Sequence, residues 1–381
     1  MMKLSKDIVQ LFELFNKSGF KLYIIGGAVR DYLLNREIKD YDFCTDAKPW
    51  EIEEILKGYN IDNYQSNLGS IKLHLNNNIY EITSFRREFG VKDFRYPNKI
   101  EFISQLKEDV LRRDFTINCL AYSINDGVID YLDGISDLNN RRLKFVKDCK
   151  ESINEDPIRL IRALRFSLLL DFKISDEDLN VFLENASLVN DLGKIKYDEL
   201  FKLFEIKGCK KFLLKYFDIY KNGYPIFNNC EFINVLNSDL DESYLKYVLL
   251  YFINDLSLIN KKDQIIIKGL KNINVFDIDL YHTKLLMIEY KEYLEKILVI
   301  LEAFGKDVTN IKNNINIIKK ERHCLYVHDL DISYLDLENL KIEVKYYSRV
   351  FKYLLDLVLV DYKLNKKEKL IELIKSKKGG Y

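Results

Sequence analysis

The spacing of apolar and polar residues changes along this chain. Up to about residue 140, short apolar stretches bounded by Gly, Asn and Asp predict β-strands mixed with helices. The run Asn76-Asn77-Asn78 predicts a hairpin turn between two of these strands. The predicted strands are Leu22–Gly26, Tyr41–Cys44, Ser70–Leu75, Ile79–Phe85 and Ile100–Ile103.

Beyond about residue 150 the apolar positions recur at helical spacing, and few strand candidates remain. The predicted helices are Pro157–Leu170, Tyr197–Leu214, Lys284–Phe304 and Tyr346–Leu359. The pattern therefore predicts an α+β first part followed by an all-helical second part.

Composition narrows the class of protein. At 381 residues, two or three domains are expected, and 48% hydrophobic with 31% charged residues is typical of a folded globular chain. Lys and Arg total 59, as do Asp and Glu, so any nucleic-acid binding must come from clustered charge. No stretch approaches the roughly 20 apolar residues of a membrane span, and no leader pattern opens the sequence. We expect a cytoplasmic protein that does not contact membranes.

Cysteine and histidine residues are scattered. The six cysteines include no C-x-x-C pair and the four histidines are dispersed, which argues against a structural zinc site and a disulfide framework.

The segment LYIIGGAVRDYLLNREIKDYDFCT carries the sharpest chemical pattern. Gly26 and Gly27 end an apolar strand and open a helix, where backbone N–H groups can approach a triphosphate closely. Asp40 and Asp42 follow at i and i+2 on what is predicted to be the next strand, so their carboxylates share one face and can hold hard cations. Together these residues predict a metal-dependent nucleotidyl-transfer site.

Each of these residues has a plainer interpretation. Asp40 and Asp42 alone could be solvated acids at a strand end, and a D-x-D pattern by itself is weak. Glu81 on the predicted hairpin either faces the same cleft as a third carboxylate or is an exposed strand residue. Arg30 either reaches the phosphates, oriented by Asp31, or forms an ordinary surface pair with it.

A second pattern lies in LRRDFTIN. It is predicted to open a helix on which Arg113, Asp114 and Asn118 share one face, suited to a ribose hydroxyl and phosphates. The alternative is a helix-capping cluster, which accounts for Asp114 but not for the paired arginines.

A third pattern is EDPIR at the start of a predicted helix. Asp156 and Arg159 lie three apart, and a carboxylate acceptor beside a guanidinium donor matches the Watson–Crick edges of cytosine and adenine. Uracil and guanine reverse that order, so such a pair can discriminate against them. The competing interpretation makes Asp156 the N-cap of a helix whose first residue is Pro157, and the sequence does not decide between the two.

The stretch REFGVKDFRYPNKIEF is predicted to form a mobile loop over the site. Asp93 and Arg95 would be the functional charged residues of this loop. The alternative is a solvated loop without a function.

Taken together, the motifs resemble those of the class II tRNA nucleotidyltransferase and poly(A) polymerase family. The similar segments are GGAVRDYLL, DYDFCTDAKP, EITSFRRE, DFRYP, LRRDFTINCLAY and EDPIRLIRALRF, which cover roughly residues 20–170 in one co-linear order. Further on, CLYVHDLDIS and LLDLVLVDYKLNKKEKLIELI are more weakly similar to the family's tail segments, and DLGKIKYDELFKLF keeps an EL pair without the usual Glu-Arg-Ile.

This resemblance implies a polymerase-β-type head, a small mixed sheet with helices, followed by an all-helical neck, body and tail. The implied division is 1–140 for the catalytic head, 141–205 for a neck with the nucleotide-selecting helix, 206–285 for the body and 286–381 for a tRNA-binding tail. It also implies addition of CCA to the tRNA 3′ end from CTP and ATP with Mg²⁺ and without a nucleic-acid template. No membrane and no protein partner are implied.

The resemblance assigns roles residue by residue. The implied catalytic residues are the metal ligands Asp40 and Asp42, to which the strand position of Glu81 adds that residue as a third candidate. The implied nucleotide-binding residues are Gly26, Gly27, Arg30, Arg113, Asp114, Asn118, Asp156, Arg159, Arg162 and Arg165.

Other functions stay open at this point. Within the family, an enzyme that adds only A and a poly(A) polymerase are alternatives, although NLGSIKLHL lacks the basic pair of the latter and DFRYP favours full CCA addition. From a different class, the chain could be a tRNA-binding homologue without catalysis, but intact Asp40 and Asp42 argue against this. A dinucleotide-binding oxidoreductase is excluded because GGAVRD is not G-x-G-x-x-G.

Overall fold

The computed structural model describes residues 2–92, 96–253, 258–276 and 278–377. It divides into two compact units, Met1–Pro225 and Ile226–Tyr381. The finer division into head, neck, body and tail stays a prediction.

A mixed seven-stranded sheet and a separate hairpin organise the first unit. Its strands are β1 Leu22–Ile25, β2 Asp42–Thr45, β3 Asn60–Asp62, β4 Ser70–Leu75, β5 Asn78–Ser84, β6 Arg86–Lys92, β7 Tyr96–Phe102, β8 Ala121–Ser123 and β9 Gly127–Ile129. The sheet order is β3-β4-β5-β2-β1-β8-β9, while β6 and β7 pair with each other. Only β2 and β5 run parallel among the sheet neighbours of the described residues; the other pairs are antiparallel.

Helices accompany the sheet and then replace it. Those of the first unit are α1 Lys6–Lys17, α2 Gly27–Leu33, α3 Pro49–Ile55, α4 Leu106–Asp109, α5 Gly134–Asn139, α6 Cys149–Glu155, α7 Ile158–Leu170, α8 Asp176–Asn185, α9 Ile195–Phe204, α10 Cys209–Lys215 and α11 Phe217–Gly223. Within this unit α7 packs against α9.

The second unit is built of helices joined by loops and has no strand among its described residues. Its helices are α12 Cys230–Asn237, α13 Leu245–Ile253, α14 Lys261–Asn272, α15 Leu280–Tyr290, α16 Leu294–Ala303, α17 Thr309–Lys320, α18 Tyr334–Asn339, α19 Tyr347–Val360 and α20 Lys367–Ser376. A buried cluster that includes Leu337, Leu354 and Leu370 joins the last three. No helix among the described residues has the length and apolarity needed to cross a membrane. The cytoplasmic location stays a prediction.

The α+β class, the small mixed sheet and the helical second part are confirmed. The hairpin turn is confirmed as well: Asn76 and Asn77 adopt positive φ angles of 47° and 65° between β4 and β5. Short polar side chains tolerate this left-handed region better than most others, which explains why an asparagine run marks the turn.

Two predicted long helices are wrong because each is interrupted. Tyr197–Leu214 is divided into α9 and α10 by residues 205–208, the last of which, Gly208, has a φ of 88° and caps the start of α10. Lys284–Phe304 is divided at Lys291, which has a φ of 47°, into α15 and α16. Apolar spacing continues across both breaks, so periodicity alone does not locate them.

The predicted mobile loop between strands is also wrong in its described part. Arg86–Lys92 and Tyr96–Phe102 pair as an antiparallel hairpin, with Arg86 opposite Phe102. The segment is mostly polar with a few aromatic residues, a composition that the exposed strands of a two-stranded ribbon share with loops. Asp93 and Arg95 lie outside the described residues.

A close backbone approach at Gly134 holds α5 in place. A Cβ atom built at this residue would lie 2.5 Å from the backbone oxygen of Thr116. We expect Gly134→Ala to lower the free energy of unfolding by about 1–3 kcal/mol, because backbone must shift to relieve the clash. Urea unfolding followed by circular dichroism measures this. Ile135→Ala, at a position 36% exposed on the same helix, is the control and should change stability little; equal effects of the two variants would contradict the packing argument.

Candidate active site

A polar cavity of about 610 Å³ in the first unit brings the predicted residues together. Its walls come from the β1–α2 junction, the start of β2, the segment between α4 and β8, and helices α7 and α9. The lining residues are Gly26, Gly27, Arg30, Asp40, Asp42, Arg113, Asp114, Asn118, Asp156, Arg159, Arg162, Arg165, Phe166 and Lys202. Every predicted nucleotide-binding residue is among them.

The glycine pair stands directly beside the first acidic strand. Ile25 is paired with Asp42 across β1 and β2, so Gly26 leaves the sheet at the level of that carboxylate. Gly26 has a φ of 75°, which glycine adopts without the steric cost that a side chain brings. The chain therefore turns sharply at this point and enters α2 at the cavity wall.

Arg30 is held rigidly rather than at the surface. Its side chain is buried, and its Nε and Nη2 donate to the two oxygens of Asp31 at 2.9 and 3.0 Å. Nη1 donates to Oδ1 of Asn118 at 2.8 Å. The surface-pair interpretation is wrong, because Arg30 is buried, Asp31 is half-buried and the hydrogen bonds extend to a third side chain.

Asp40 and Asp42 both line the cavity, but they do not alternate on one strand. β2 begins at Asp42, and Asp40 lies in the preceding segment, exposed to solvent. The side chain of Asp42 is also exposed, but partial loss of hydration at the cavity wall, the charge of Glu81 and, more weakly, that of Asp40 raise its pKa, while Arg113 opposes them. A carboxyl whose ionised form is disfavoured by neighbouring acids is one that a cation stabilises.

Glu81 is the neighbour of Asp42 on the parallel strand β5 and lies on the same face of the sheet. It does not line the main cavity. Instead it lines a second cavity of about 290 Å³, which shares Asp42 and Arg113 with the first, and it accepts a hydrogen bond of 2.6 Å from Oγ of Ser70.

The acidic residues fit an oxygen-liganded divalent ion whose remaining ligands come from a substrate. Among the residues that the structure describes, no group of three or more His, Cys, Asp and Glu side chains is arranged to hold a metal. Two carboxylates with waters and phosphate oxygens are typical of Mg²⁺ sites in phosphoryl-transfer enzymes.

The LRRDFTIN segment is not an α-helix. Val110–Arg112 and Thr116–Asn118 form single 3₁₀ turns, and Arg113 between them is extended. The predicted face is nevertheless assembled, because Nδ2 of Asn118 donates to Oδ1 of Asp114 at 3.0 Å. Asp114 also accepts a hydrogen bond of 2.8 Å from the N–H of Phe115, but the following 3₁₀ turn is capped by Phe115 without a side-chain bond, so the capping interpretation of Asp114 is wrong.

Asp114 is bound from the other wall by Arg162. Nε and Nη2 of Arg162 donate to Oδ2 at 2.9 and 2.6 Å. Burial alone would raise the pKa of Asp114, but Arg162 and the hydrogen bond from Asn118 outweigh it and lower that pKa. The carboxylate is therefore ionised and fixed at the cavity wall.

Asp156 and Arg159 stand at the start of α7. Asp156 accepts a hydrogen bond of 3.2 Å from the N–H of Ile158 and also lines the cavity, so the capping and the cavity-facing interpretations coexist. The guanidinium of Arg159 donates to Glu155 at 3.0 Å and to the backbone oxygen of Arg112 at 3.0 Å.

The sequence analysis missed Glu199, a buried carboxylate behind the cavity. It accepts from Nε of Arg165 at 2.7 Å and from Nζ of Lys202 at 2.8 Å, and Arg162 lies 3.9 Å away. Burial alone would raise the pKa of Glu199, but Arg165, Arg162 and Lys202 lower it. The EL pair of DLGKIKYDELFKLF, which contains Glu199, was the available signal.

Phe166 and Lys202 were missed as lining residues. The guanidinium carbons of three arginines lie 4.4–5.5 Å from the ring centre of Phe166, whose face attracts cations. Those arginines are Arg30, Arg162 and Arg165. The i, i+4 spacing of Arg162 and Phe166 on α7 was the signal for this contact.

Comparison with known proteins agrees with this geometry. Residues 22–144 match the family model described as the poly A polymerase head domain. This part of the chain is similar to poly A polymerase head domains. The resemblance to the class II tRNA nucleotidyltransferase and poly(A) polymerase family is thereby confirmed.

Relatives extend the likeness beyond the head domain. The CCA-adding enzyme of Lactococcus lactis subsp. lactis is 38% identical over 253 residues, which are 65% of this chain and 60% of that enzyme. The CCA-adding enzyme of Pediococcus pentosaceus is 40% identical over 200 residues, 52% of this chain and 49% of that enzyme. The chain thus spans between about half and three fifths of the length of these curated relatives.

Solved structures share the fold over nearly the whole chain. The Bacillus stearothermophilus CCA-adding enzyme in complex with CTP has a TM-score of 0.69 and 21% identity, covering 99% of both chains. The Thermotoga maritima CCA-adding enzyme complexed with tRNA-CCA has a TM-score of 0.62 and 20% identity, covering 98% of this chain and 96% of that one. The helical region that follows the head domain therefore has the architecture of these enzymes as well.

Glu199 yields a test of how the cavity is held. We expect Glu199→Gln to lower the free energy of unfolding at neutral pH by about 3 kcal/mol, because it leaves buried arginine charge without its partner. The folded pKa lies below the unfolded value of about 4.3, so the stabilisation is present above that pH and is lost as the pH falls below it.

Urea unfolding at a series of pH values measures this difference, which should shrink below about pH 4. Glu205→Gln, at an exposed residue after the end of the same helix, is the matched control and should be nearly neutral. A loss that is the same at all pH values would show that the carboxylate charge is not its cause.

Proposed function

We propose that this chain is a tRNA nucleotidyltransferase that adds or repairs the 3′-terminal CCA of tRNA from CTP and ATP without a nucleic-acid template. The observation that carries the proposal is the cavity in which the glycine pair, four aspartates and five arginines converge. The CCA-adding enzymes among the relatives and the solved structures support the same activity.

The arginine side of the cavity suits the triphosphate. Arg30 lies on α2 beside Gly26 and Gly27, and Arg113 lines the same cavity from the segment between α4 and β8. The N–H of Gly26 donates to the backbone oxygen of Leu120 at 3.0 Å, so the N–H groups of the first turn of α2 are the ones left for phosphate oxygens. Asp114 and Asn118, hydrogen-bonded to each other, offer an acceptor and a donor for the ribose hydroxyls. These side chains are fixed before substrate arrives, which reduces the entropy lost on binding.

The carboxylate side suits the reacting groups. Asp40 and Asp42 are the proposed ligands of Mg²⁺, and Glu81 stands beside Asp42. When bound, the ion supplies charge neutralisation on the phosphates and lowers the pKa of the attacking 3′-hydroxyl. The chain's own contribution is to orient the triphosphate and that hydroxyl toward each other.

Asp156 and Arg159 suit the base. Two nitrogens of the Arg159 guanidinium are anchored by Glu155 and by a backbone oxygen, so its plane is fixed while N–H donors remain for a ligand. A fixed donor beside a carboxylate acceptor complements cytosine and adenine and leaves buried groups unpaired against uracil and guanine.

The central test is incorporation of labelled CTP or ATP into tRNA that lacks its 3′ end, in the presence of Mg²⁺. Nucleotides supplied separately, to tRNAs ending before, within and after CC, distinguish full CCA addition from addition of A alone. Failure to incorporate either nucleotide would overturn the proposal.

Removing the proposed metal ligand should stop the chemistry. We expect Asp42→Ala to reduce incorporation by about 1000-fold or more, since several kcal/mol of charge stabilisation are lost, with little change in tRNA affinity. Glu37→Ala, at an exposed acid shortly before Asp40, is the control and should be near normal. Near-normal turnover of Asp42→Ala would refute the metal assignment.

Removing the proposed base-reading donor should relax selectivity. We expect Arg159→Ala to reduce the preference for CTP and ATP over UTP and GTP by about tenfold or more, while tRNA affinity changes less. Competition between labelled nucleotides measures this. Lys150→Ala, at an exposed position on the preceding helix, is the control; unchanged selectivity of Arg159→Ala would count against base reading.

A further inference from the structure

Asp109 is a buried carboxylate in unit 1 that does not line the main cavity. It is the last residue of α4, and its side chain is 0% exposed. Its Oδ1 accepts hydrogen bonds from Nε of Arg112 at 2.9 Å and from the backbone N–H of Arg86 at 3.1 Å. Its Oδ2 accepts from Nη2 of Arg113 at 3.1 Å. Burial alone would raise the pKa of Asp109, but Arg113 and Arg112 lower it.

The contact between Asp109 and Arg113 links this buried carboxylate to the candidate site. Arg113 lines both the main cavity and the second cavity, together with Asp42. Two further acids line these cavities with Asp42 and Arg113: Asp40 the main cavity and Glu81 the second. An arginine released at this point would face an acidic group with which it could form a two-pronged ion pair.

We propose that Asp109 is a positioning residue that keeps Arg113 from pairing with Asp42, and so keeps that carboxylate available to a divalent cation. This inference rests on the proposed function, because it takes Asp42 as a metal ligand. A guanidinium and a divalent ion compete for the same carboxylate oxygens, so metal affinity depends on where Arg113 is held. Asp109 supplies Arg113 with a buried, ionised alternative partner.

Asp109→Asn isolates this effect. The amide keeps an oxygen for Arg112 and for the N–H of Arg86, but its NH₂ group replaces the oxygen that accepts from Arg113. Two donors then face each other and the negative charge is gone, so Arg113 is released. Binding of Mn²⁺ alone, without nucleotide or tRNA, is measured by electron paramagnetic resonance of the free ion. We expect the dissociation constant of Mn²⁺ to rise about tenfold in this variant, which corresponds to the free energy of about one charge-assisted contact.

Two further variants distinguish this mechanism from a non-specific disruption of the hydrogen-bond network around Asp109. Glu88→Gln is the matched control: Glu88 accepts from Arg86 at 2.7 Å and from Arg112 at 3.3 Å and belongs to the same network, but it does not bind Arg113. It should leave Mn²⁺ affinity unchanged. In an Arg113→Gln background there is no arginine to release, so adding Asp109→Asn should not weaken Mn²⁺ binding further.

Each outcome decides the inference. Unchanged Mn²⁺ affinity in Asp109→Asn overturns it, as does an equal loss in Glu88→Gln or in the Arg113→Gln background. If Asp109→Asn alone does not fold, the double variant decides: a folded double variant supports pairing of the two charges, and an unfolded one overturns it. If wild type and Asp42→Ala bind Mn²⁺ equally, the proposed metal site itself fails, which is a different result from unchanged affinity in Asp109→Asn.

Discussion

The candidate site depends on pairing each arginine of the cavity with a carboxylate. Five arginines around a space of about 610 Å³ would repel one another and lose hydration without such partners. Buried ion pairs of this kind contribute little net stability, because desolvation offsets most of their attraction. What they contribute is geometry, since each guanidinium is fixed in one orientation before a substrate enters. The pairs are Arg30–Asp31, Arg113–Asp109, Arg159–Glu155, Arg162–Asp114 and Arg165–Glu199.

The same principle explains why the two sides of the cavity differ. On the arginine side, every cation has a carboxylate that takes part of its hydrogen-bonding capacity, and the remaining donors are available to phosphates and a base. On the other side, no arginine hydrogen-bonds to Asp42 in the part of the chain that the structure describes. Asp42 is therefore a carboxylate without a cationic hydrogen-bond partner, beside a cavity rich in arginine. This separation of negative from positive charge complements a triphosphate that carries a metal ion.

The sequence predicts the site well where one short segment carries all the information. Gly26, Gly27 and Asp42 lie in one stretch, and the strands around them follow from apolar runs and turn residues. It fails where partners are far apart. Asp114 and Arg162 are 48 residues apart and Arg165 and Glu199 are 34 apart, and no spacing rule joins them. The LRRDFTIN segment fails for another reason: its polar side chains form local hydrogen bonds that compete with helical ones.

The position of Glu81 shows how a distant turn controls the site. Side chains alternate between the two faces of a strand, so a slip of one residue would move Glu81 to the face opposite Asp42. The parallel pairing of β5 with β2 sets this register, and β5 is in turn fixed by its hairpin with β4. That hairpin is closed by Asn76 and Asn77 in the left-handed conformation. The face on which Glu81 lies is therefore determined by turn chemistry at the far end of its strand, together with burial of Ile82 on the other face.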